Sequence, residues 1–327
     1  MSAAAELHAI GGPASWRGPD QIDEPTWIVP LDEAAIDALI DAVRRLPRGP
    51  FQRDQARAIG VPLVPLAPLA AMARRELVDG RGFVVLRGMP VDGLTPDELE
   101  RAYWVLGLHL GIPVPQSGGG ELLVHVRDQG LDYTDPHVRG YQTRARLDYH
   151  VDGSDVVGLL CARAARSGGT STIVSAVAIH DSCVARRPDL ARLLYRPFWF
   201  DRRNGDGPES FYQLPIFGIE DDRFVMYYGR SYLESAQRGP QTDRLTPVQL
   251  DALDLIDELA NSPELFLPMD LRPGDVQFLN NRLVLHARTS YDDWPEPERK
   301  RDMIRLWLSL GSGRPAAMVP EPRRPRS

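Results

Sequence analysis

Three residues of this chain have side chains that commonly bind metals. His150 and Asp152 are separated by one residue, and His286 lies far along the chain. On an extended segment, residues two apart face the same side, so the imidazole of His150 and the carboxylate of Asp152 can converge. Two histidines and one carboxylate form a facial triad, which suits Fe(II) and leaves coordination positions open for oxygen chemistry. We therefore predict that His150, Asp152 and His286 bind Fe(II).

The segment that carries His286 is predicted to be a β-hairpin. Residues 273–275 (Pro-Gly-Asp) form a turn, residues 276–279 a strand, and residues 283–288 the returning strand. Asn280-Asn281 is predicted to form the second turn, because asparagine tolerates left-handed backbone. A His-x-Asp pair alone is common by chance, and the later histidine on a hairpin is what makes the metal site a specific prediction.

Two arginines follow this hairpin. Arg301 and Arg305 flank a short run just before a predicted strand, and alternation along a strand places both guanidinium groups on one face. Arginine binds carboxylates through paired hydrogen bonds, so one of the two can hold the far end of a dicarboxylate that chelates the iron. The alternative is a surface ion-pair site beside Glu296 and Glu298. The position of the arginines shortly after His286 favours the first interpretation.

A glycine-containing turn precedes another predicted strand. Residues 167–172 read Ser-Gly-Gly-Thr-Ser-Thr, with neither the lysine nor the glycine spacing of a phosphate-binding loop. A Gly-Gly turn that enters a strand can place a small hydroxyl group toward the interior, where it can hydrogen-bond a carboxylate. Ser171 is the first candidate for this role and Thr170 the second. An ordinary turn with solvated hydroxyls is the alternative.

The elements that must position these residues fall into two regions. The first third reads as helices around one strand, with Asp32 and Thr95 as predicted helix N-caps. From about residue 122, short β-branched and aromatic runs alternate with turn residues, which is typical of a sandwich or barrel. The fold class is therefore predicted to be α+β with a mainly β core. The predicted strands are 83–86, 156–161, 172–175, 224–228, 276–279, 283–287 and 303–308, and further helices are predicted from Thr246 and over 175–195.

The composition is that of an ordinary globular protein and argues against several functions. The formal net charge is -7 with both signs interspersed, so no basic face attracts nucleic acid. Cys161 and Cys183 are too few for a disulfide framework and fit a reducing compartment. No run approaches the roughly 18 apolar residues of a membrane span, and the start lacks a signal pattern. We expect a cytoplasmic protein that contacts no membrane.

One domain is expected to carry the site. It is predicted over residues 27–310, between an irregular segment at 1–26 and a flexible Pro/Arg-rich tail at 311–327. The length also permits two domains, but no internal repeat divides the chain. A homo-oligomer is compatible with the sequence.

The ordered motifs resemble those of the taurine dioxygenase (TauD/TfdA) family of Fe(II)/2-oxoglutarate oxygenases. The shared set is His-x-Asp at 150–152, Gly-Gly-x-Ser at 168–171, Pro-Gly-Asp and Asn-Asn before His286, and Arg-x-x-x-Arg at 301–305. The resemblance extends from about residue 82 to residue 308. It implies a double-stranded β-helix, or jelly roll, flanked by helices. Related halogenases lack the metal-binding carboxylate, whereas Asp152 is present here, so halogenation is not expected.

The resemblance also implies roles for the site residues. The triad would bind Fe(II), Arg301 would bind the distal carboxylate of 2-oxoglutarate, and Ser171, with Thr170 as second choice, would assist. Arg305 would lie near the co-substrate or reach an anionic group of the substrate. The enzyme would use O₂ to oxidise, most often to hydroxylate, an unactivated C–H bond of a small anionic or amino-acid-like molecule, with release of succinate and CO₂. The same chemistry covers desaturation, ring closure and bond cleavage.

Two other functions could use the same residues, and candidates for substrate contacts can be chosen only by their position in the sequence. A zinc hydrolase or isomerase on a jelly roll could use the same triad, but it would not need Arg301 for a dicarboxylate. A small-molecule-binding jelly roll with structural histidines would leave the ordered motifs unexplained. The candidates for substrate contacts are Gln116, residues 139–144, Tyr227, Tyr228 and Arg230.

Overall fold

The structure is a computed structural model that describes residues 7–46, 64–117, 119–132, 138–203 and 207–311. The predicted tail lies outside the described residues except for Gly311. Within these ranges there are eight α-helices: α1 (Gly18–Asp23), α2 (Glu33–Arg45), α3 (Ala67–Val78), α4 (Pro96–Leu110), α5 (Ala176–Arg186), α6 (Pro188–Leu194), α7 (Arg230–Ser235) and α8 (Pro247–Ala260).

The same ranges contain seventeen β-strands: β1 (Ile28–Pro30), β2 (Phe83–Arg87), β3 (Ile112–Pro113), β4 (Leu123–Val126), β5 (Leu147–His150), β6 (Val156–Arg163), β7 (Ser167–Gly168), β8 (Ser171–Ser175), β9 (Pro197–Asp201), β10 (Phe211–Pro215), β11 (Phe217–Glu220), β12 (Arg223–Met226), β13 (Leu267–Met269), β14 (Asp275–Asn280), β15 (Val284–Arg288), β16 (Tyr291–Asp292) and β17 (Asp302–Ser309).

Two sheets form the centre of the molecule. The larger sheet has the order β1-β2-β14-β6-β17-β3, with β4 also paired to β17, and the smaller sheet has the order β13-β8-β15-β5. Every pairing in them is antiparallel except the parallel pair of β1 and β2. Side chains from both sheets meet in one apolar cluster between them. This architecture confirms the predicted α+β fold with a jelly-roll core.

Strand β2 shows how alternation builds the layers. Phe83 and Val85 point into the cluster between the two sheets, whereas Val84 and Leu86 pack in a second cluster with the helices on the outer face. Successive side chains of a strand face opposite sides, so a strand that is covered on both faces is apolar throughout. The buried run predicted at 83–86 therefore became a strand between the jelly-roll core and the α2–α4 layer.

The predicted helix starts are confirmed by their caps. Asp32 accepts a hydrogen bond from the backbone N–H of Ala35 at the start of α2. Thr95 and Thr246 each form a complete capping box, at α4 and α8. In these boxes the cap side chain and the third helical residue satisfy two backbone N–H groups that the helix leaves open.

Two expectations about the helices differ from the structure. The helix predicted over 175–195 is two helices, because Pro188 lacks an N–H and its ring opposes helical continuation. The segment 1–26 was expected to run irregularly over the surface, but α1 lies within it and Trp16 is buried, 4.9 Å from the ring of Phe83. Burial of this large aromatic surface holds the segment on the sheet. None of the described helices has the length and apolar content of a membrane-crossing segment.

Candidate active site

The three predicted metal ligands meet at one end of the smaller sheet. The candidate ligand atoms of His150, Asp152 and His286 all lie within 4.8 Å of one another. The ring centroids of the two histidines are 4.3 Å apart, and Nε2 of His286 is 3.8 Å from Oδ2 of Asp152. Among the described residues, this His/Asp/His group could hold a metal ion, and we call the three side chains the metal cluster.

Strand pairing brings the two distant segments together. His286 on β15 is the register partner of His150 on β5, so the two imidazoles lie side by side. Asp152 follows β5, where the chain leaves the sheet, and its backbone N–H donates to Oδ1 of Asn281 at 3.0 Å. The Asn281 amide also donates to the carbonyl of Ser154 at 3.0 Å. A buried asparagine in the turn between β14 and β15 therefore fixes the position of the Asp152 backbone.

The function of the Asn-Asn pair differs from the sequence interpretation. Neither Asn280 nor Asn281 has a positive φ, so left-handed backbone is not the reason for asparagine in this turn. Both side chains make hydrogen bonds, and the Asn280 amide donates to the carbonyl of Leu77 at 2.9 Å. Asparagine offers one acceptor and two donors on a short side chain, which suits a buried junction of three chain segments.

The Pro-Gly-Asp turn before β14 is also held by specific contacts. Gly274 has a φ of +88°, and a Cβ at this position would lie 2.5 Å from the carbonyl oxygen of Met89, so only glycine fits. The carboxylate of Asp275 is buried and forms two hydrogen bonds with the guanidinium group of Arg87, at 2.7 and 2.9 Å. These contacts join the hairpin to β2. They lie outside the metal cluster, and their function is structural.

The surroundings of Asp152 favour its charged form. Burial disfavours the carboxylate, but Arg305, His286 and His150, together with a hydrogen bond from Trp307, outweigh burial and hold the pKa of Asp152 below its ordinary value. The indole Nε1 of Trp307 donates to Oδ2 at 3.0 Å. Asp152 is therefore ionised at neutral pH, which is the form that binds a metal.

His286 is in a neutral form that can bind a metal, and a hydrogen bond orients the ring of His150. Burial, together with the neighbouring His150, lowers the pKa of His286 to about 3, so its imidazole is uncharged at neutral pH. Nδ1 of His150 lies 2.8 Å from the carbonyl oxygen of Asp148. A hydrogen bond from one ring nitrogen to a carbonyl fixes the tautomer and leaves the other nitrogen free to bind a metal.

Arg301, which directly precedes β17, is a buried cation. Its side chain is 7% exposed, and its Nη1 donates to the carbonyl oxygen of Val126 at 3.4 Å. Burial lowers the pKa of the guanidinium group below its ordinary value, although arginine remains charged at neutral pH. Among the residues that the structure describes, no carboxylate forms an ion pair with this guanidinium group. The arrangement fits an anion that is supplied from outside the chain.

Two neighbours shape the space around Arg301. The guanidinium carbon of Arg301 lies 5.0 Å from the ring centroid of Tyr291, whose hydroxyl group is buried without a hydrogen-bond partner. Gly169 has a φ of +71°, and a Cβ there would lie 3.1 Å from Nε of Arg301. The glycine therefore lets the turn before β8 approach the arginine closely, and Tyr291 leaves a polar group available beside it.

The two hydroxyl residues predicted for this region differ in their surroundings. The hydroxyl oxygen of Ser171 on β8 accepts a hydrogen bond from the buried amide of Gln277 at 3.3 Å. The other amide atom of Gln277, Oε1, is buried without a partner. Thr170 hydrogen-bonds through its backbone, since its N–H donates to Oγ1 of Thr289 and its carbonyl accepts from the Thr289 N–H. The Ser171 side chain therefore lies in a polar interior site with Gln277.

Arg305, on β17, lies next to the metal cluster. Its Nη1 is 3.5 Å from both carboxylate oxygens of Asp152, and its Nε donates to Oε1 of Gln116 at 2.7 Å. Arg305 also lines a cavity of about 440 Å³ together with His150 and Asp152, whereas Arg301 does not. The two arginines were predicted on one strand face, but only Arg305 lines this cavity.

Some of the predicted substrate-contact residues line this cavity and others do not. Gln116 and the segment at 139–144, through Arg139, Gly140 and Tyr141, line the cavity. Tyr227 and Tyr228 do not, because their hydroxyl groups donate to Glu220 and Asp257 inside the protein. Arg230 lines the cavity, but its guanidinium group is paired with three carboxylates, those of Glu234, Asp254 and Asp257.

Several residues of the site were not found by sequence reasoning. Trp307 could have been found, because it lies two residues after Arg305 on a predicted strand and so shares its face. Asn281 stood in a motif but was assigned a backbone function. Gln277 is a single polar residue in an apolar strand, Tyr291 lies in a polar stretch, and no local pattern distinguishes either.

A jelly roll that brings two histidines and a carboxylate together and also holds a buried arginine has the features of the 2-oxoglutarate-dependent, non-haem iron oxygenases. The family model described as Taurine catabolism dioxygenase TauD, TfdA family matches residues 42–307. The chain belongs to the TauD/TfdA family, and it is a non-haem Fe(II)/2-oxoglutarate dioxygenase. The predicted family and reaction class are confirmed.

Two related sequences support this assignment. FR-33289 synthase of Streptomyces rubellomurinus is 31% identical over 316 residues, which cover 93% of this chain and 91% of that protein. The Taurine hydroxylase-like protein SAT17 of Stachybotrys chartarum is 24% identical over 302 residues, which cover 89% of this chain and 77% of that protein.

Solved structures share the fold. An asparagine oxygenase in complex with Fe(II), 2S,3S-3-hydroxyasparagine and succinate matches with a TM-score of 0.67 and 18% identity, over 87% of this chain and 94% of that one. The non-heme iron oxygenase OrfP, in complex with Fe, succinate and (3S)-hydroxy-L-Arg, matches with a TM-score of 0.65 and 16% identity, over 86% and 94%. At these identities the match concerns the fold.

Proposed function

We propose that His150, Asp152 and His286 bind Fe(II), that Arg301 binds 2-oxoglutarate, and that the enzyme hydroxylates a small anionic or amino-acid-like molecule in the neighbouring cavity. The observation that carries this proposal is the buried guanidinium group of Arg301, which forms no ion pair with a carboxylate among the described residues, since the carboxylate of Asp293 accepts from the Arg301 backbone N–H instead. A buried charge that is not directly paired with an opposite charge is costly. The distal carboxylate of 2-oxoglutarate supplies the missing charge.

The chemistry of the donor set fits ferrous iron. The Asp152 carboxylate is ionised and the His286 imidazole is uncharged at neutral pH, which are the forms that bind a metal. Iron and 2-oxoglutarate, when bound, supply the oxidation of an unactivated C–H bond by O₂, coupled to decarboxylation of the co-substrate to succinate and CO₂. These three protein ligands would hold the iron and would leave coordination positions open for the co-substrate and O₂.

The chain's own residues then bind and orient the reactants. Arg301 would hold the distal carboxylate of the co-substrate, and Ser171, which accepts from Gln277 and follows Gly169 by two residues, would offer a further hydroxyl group. Asn281 and Trp307 fix the backbone and the carboxylate of Asp152, so that this ligand keeps its direction. Such positioning aligns one C–H bond with the reacting centre, and a small displacement would cost rate.

The substrate class follows from the cavity and from the relatives. Arg305 presents its guanidinium group to the cavity beside the metal cluster, which favours an anionic substrate. The structural neighbours bind 3-hydroxyasparagine and (3S)-hydroxy-L-Arg, which are hydroxylated amino acids. We extend from them to this chain the expectation of a small substrate and of hydroxylation. A zinc hydrolase is disfavoured, because it gives Arg301 no function.

Calorimetric binding of 2-oxoglutarate to the Fe(II)-loaded protein without O₂ tests the assignment of Arg301. We expect Arg301→Gln to raise the Kd for 2-oxoglutarate roughly 10- to 100-fold, because a buried charge-assisted pair is lost. Arg299→Gln is the matched control, since Arg299 is half exposed and pairs with Glu296. If Arg301→Gln binds the co-substrate as tightly as the control does, another residue holds its distal carboxylate.

A further inference from the structure

The cavity beside the metal cluster contains a second group of cationic side chains. Besides Arg230 and Arg305, its lining includes Arg139, Arg202 and Arg203. Arg202 and Arg203 directly follow β9, and Arg139 precedes the short 3₁₀ turn Gly140–Gln142. These elements differ from β5 and β17, which carry or flank His150, Asp152 and Arg305.

The carboxylates that line this cavity are already paired with other basic groups. Each has a partner outside the second arginine group, so no described carboxylate in the lining neutralises Arg139, Arg202 or Arg203. The four pairs are Asp148 with Arg146, Asp152 with Arg305, Asp201 with Arg238, and Glu234 with Arg230. Three arginines that line one cavity are therefore without an ion-pair partner among the described residues.

Neutral contacts hold these three guanidinium groups. Nη2 of Arg139 donates to the carbonyl oxygen of Arg203 at 3.2 Å. The guanidinium carbon of Arg202 lies 4.3 Å from the ring centroid of Tyr212, and that of Arg203 lies 5.1 Å from the ring centroid of Tyr232. Stacking on aromatic rings and bonds to carbonyls fix the planes of the groups and leave their charges unneutralised.

The backbone that presents Arg203 is itself strained and fastened. Arg203 has a φ of +52°, which costs free energy for a residue with a side chain. Its N–H donates to Oδ1 of Asp201 at 2.7 Å. Asp201 is buried and is bound by Arg238 through Nε at 2.9 Å. The buried carboxylate of Asp201, paired with the partly exposed Arg238, thus holds the segment in a conformation in which Arg202 and Arg203 line the cavity.

We infer that Arg139, Arg202 and Arg203 form an anion subsite for the substrate, separate from Arg305, which takes a dianionic tetrahedral head group such as a phosphate ester or a phosphonate. A monoanion would leave two of the three charges uncompensated, whereas a dianion neutralises most of the group. Three oxygens on one centre can also accept hydrogen bonds from several guanidinium planes. The inference rests on the proposed function, because it concerns the substrate of the same cavity.

The probe for this subsite is methylphosphonate. Its binding is measured calorimetrically at about pH 8, without O₂, on the full chain loaded with Fe(II) and saturated with 2-oxoglutarate, so that the Arg301 site is occupied. Methanesulfonate and acetate, which carry a single charge, are measured in parallel. We expect methylphosphonate to bind roughly tenfold or more tightly than either monoanion.

Two variants assign the binding to the subsite. Arg202→Gln and Arg203→Gln should each raise the Kd for methylphosphonate roughly tenfold, because each removes a charge-assisted contact. Arg192→Gln removes the same charge from an exposed position outside the cavity lining and should leave that Kd unchanged. The affinity of each variant for 2-oxoglutarate should equal that of the wild type, which also shows that the variants are folded.

Each contrary result has one meaning. Equal affinities for methylphosphonate, methanesulfonate and acetate would overturn the dianion subsite, and so would an unchanged Kd for methylphosphonate in both cavity variants. The proposed function fails separately, if wild-type protein binds no 2-oxoglutarate in the presence of Fe(II). Methylphosphonate binding that is lost in Arg202→Gln and Arg203→Gln would support the subsite even in that case.

Discussion

The indole N–H of Trp307 donates a hydrogen bond of 3.0 Å to Oδ2 of Asp152. Trp307 is buried on β17, in the apolar cluster between the two sheets, whereas Asp152 belongs to the metal cluster at the edge of the smaller sheet. The contact therefore connects the jelly-roll core with the predicted iron site. Groups that orient a metal ligand contribute to metal affinity without touching the metal.

Replacement of Trp307 by phenylalanine removes this donor and keeps an aromatic ring. We expect the Kd for Fe(II) to rise roughly tenfold, because the Asp152 carboxylate loses the bond that fixes its direction. Anaerobic titration with Fe(II) measures this change. Trp199→Phe is the matched control, since the indole N–H of Trp199 is buried without a partner. Equal iron affinities of the two variants would mean that the indole does not orient the ligand.

We expect the Tyr291 hydroxyl group to contribute to 2-oxoglutarate binding. Burial raises the pKa of Tyr291, so the hydroxyl group is protonated at neutral pH and can donate a hydrogen bond to a carboxylate next to Arg301. Tyr291→Phe should raise the Kd for 2-oxoglutarate roughly 3- to 10-fold and leave the Kd for Fe(II) unchanged. Calorimetric titrations measure both constants.

Tyr103 provides the comparison for Tyr291. Its hydroxyl group is also buried without a partner, but it lies in the cluster between the helices and the larger sheet. Tyr103→Phe should leave 2-oxoglutarate binding unchanged. If Tyr291→Phe behaves like Tyr103→Phe, the hydroxyl group of Tyr291 does not contact the co-substrate.

The ion pair of Arg87 and Asp275 should matter for stability. Asp275 is 1% exposed, and its carboxylate binds Arg87 through two hydrogen bonds and accepts a third from the N–H of Arg272. Asp275→Asn should lower the free energy of unfolding by about 2 kcal/mol, because a partly buried guanidinium group loses its counter-charge. Urea denaturation of the metal-free protein measures the change. Asp189→Asn, in an exposed pair with Arg187, should leave stability unaltered, and a similar loss there would refute the structural function of the buried pair.

His125 should make stability depend on pH. Hydrogen bonds with Asp302 and Glu100, at 2.8 and 3.2 Å, raise its pKa to about 9. Asp302 also pairs with Arg163. The ordinary pKa of histidine is about 6.5, so the stabilisation is fully present below about pH 6.5 and is lost as the pH rises through about 9.

We expect the free energy of unfolding to fall by about 1–2 kcal/mol between about pH 6.5 and 9.5, after allowance for solvent screening. Urea denaturation at several pH values in this range measures the decrease. His125→Gln should show a smaller decrease over the same range, because glutamine does not titrate. The same slope in wild type and variant would mean that His125 is not the titrating group.

The sequence predicted the parts of the fold that rest on local chemistry. Alternation identified the buried strand at 83–86 and the strands of the hairpin that carries His286, because side-chain period depends only on backbone geometry. The capping boxes at Thr95 and Thr246 were equally readable, since a cap involves residues three apart.

Contacts between distant residues could not be predicted in this way. The bond from the Asp152 N–H to Asn281 spans 129 positions, and the position of Trp16 on Phe83 also depends on tertiary packing. The break at Pro188 was local and could have been predicted. The roles of the site residues, the domain limits, the cytoplasmic location, the absence of nucleic-acid partners and the oligomeric state stay predictions.

The most direct test of the iron and 2-oxoglutarate site is spectroscopic. Fe(II) and 2-oxoglutarate are added without O₂ to purified protein, and the weak visible charge-transfer band of an iron-bound keto acid is recorded for wild type and His286→Ala, with His109→Ala as a control outside the metal cluster. We predict the band in wild type and in His109→Ala, and its loss in His286→Ala. A band of equal strength in His286→Ala, or no band in wild type, would contradict the proposed site.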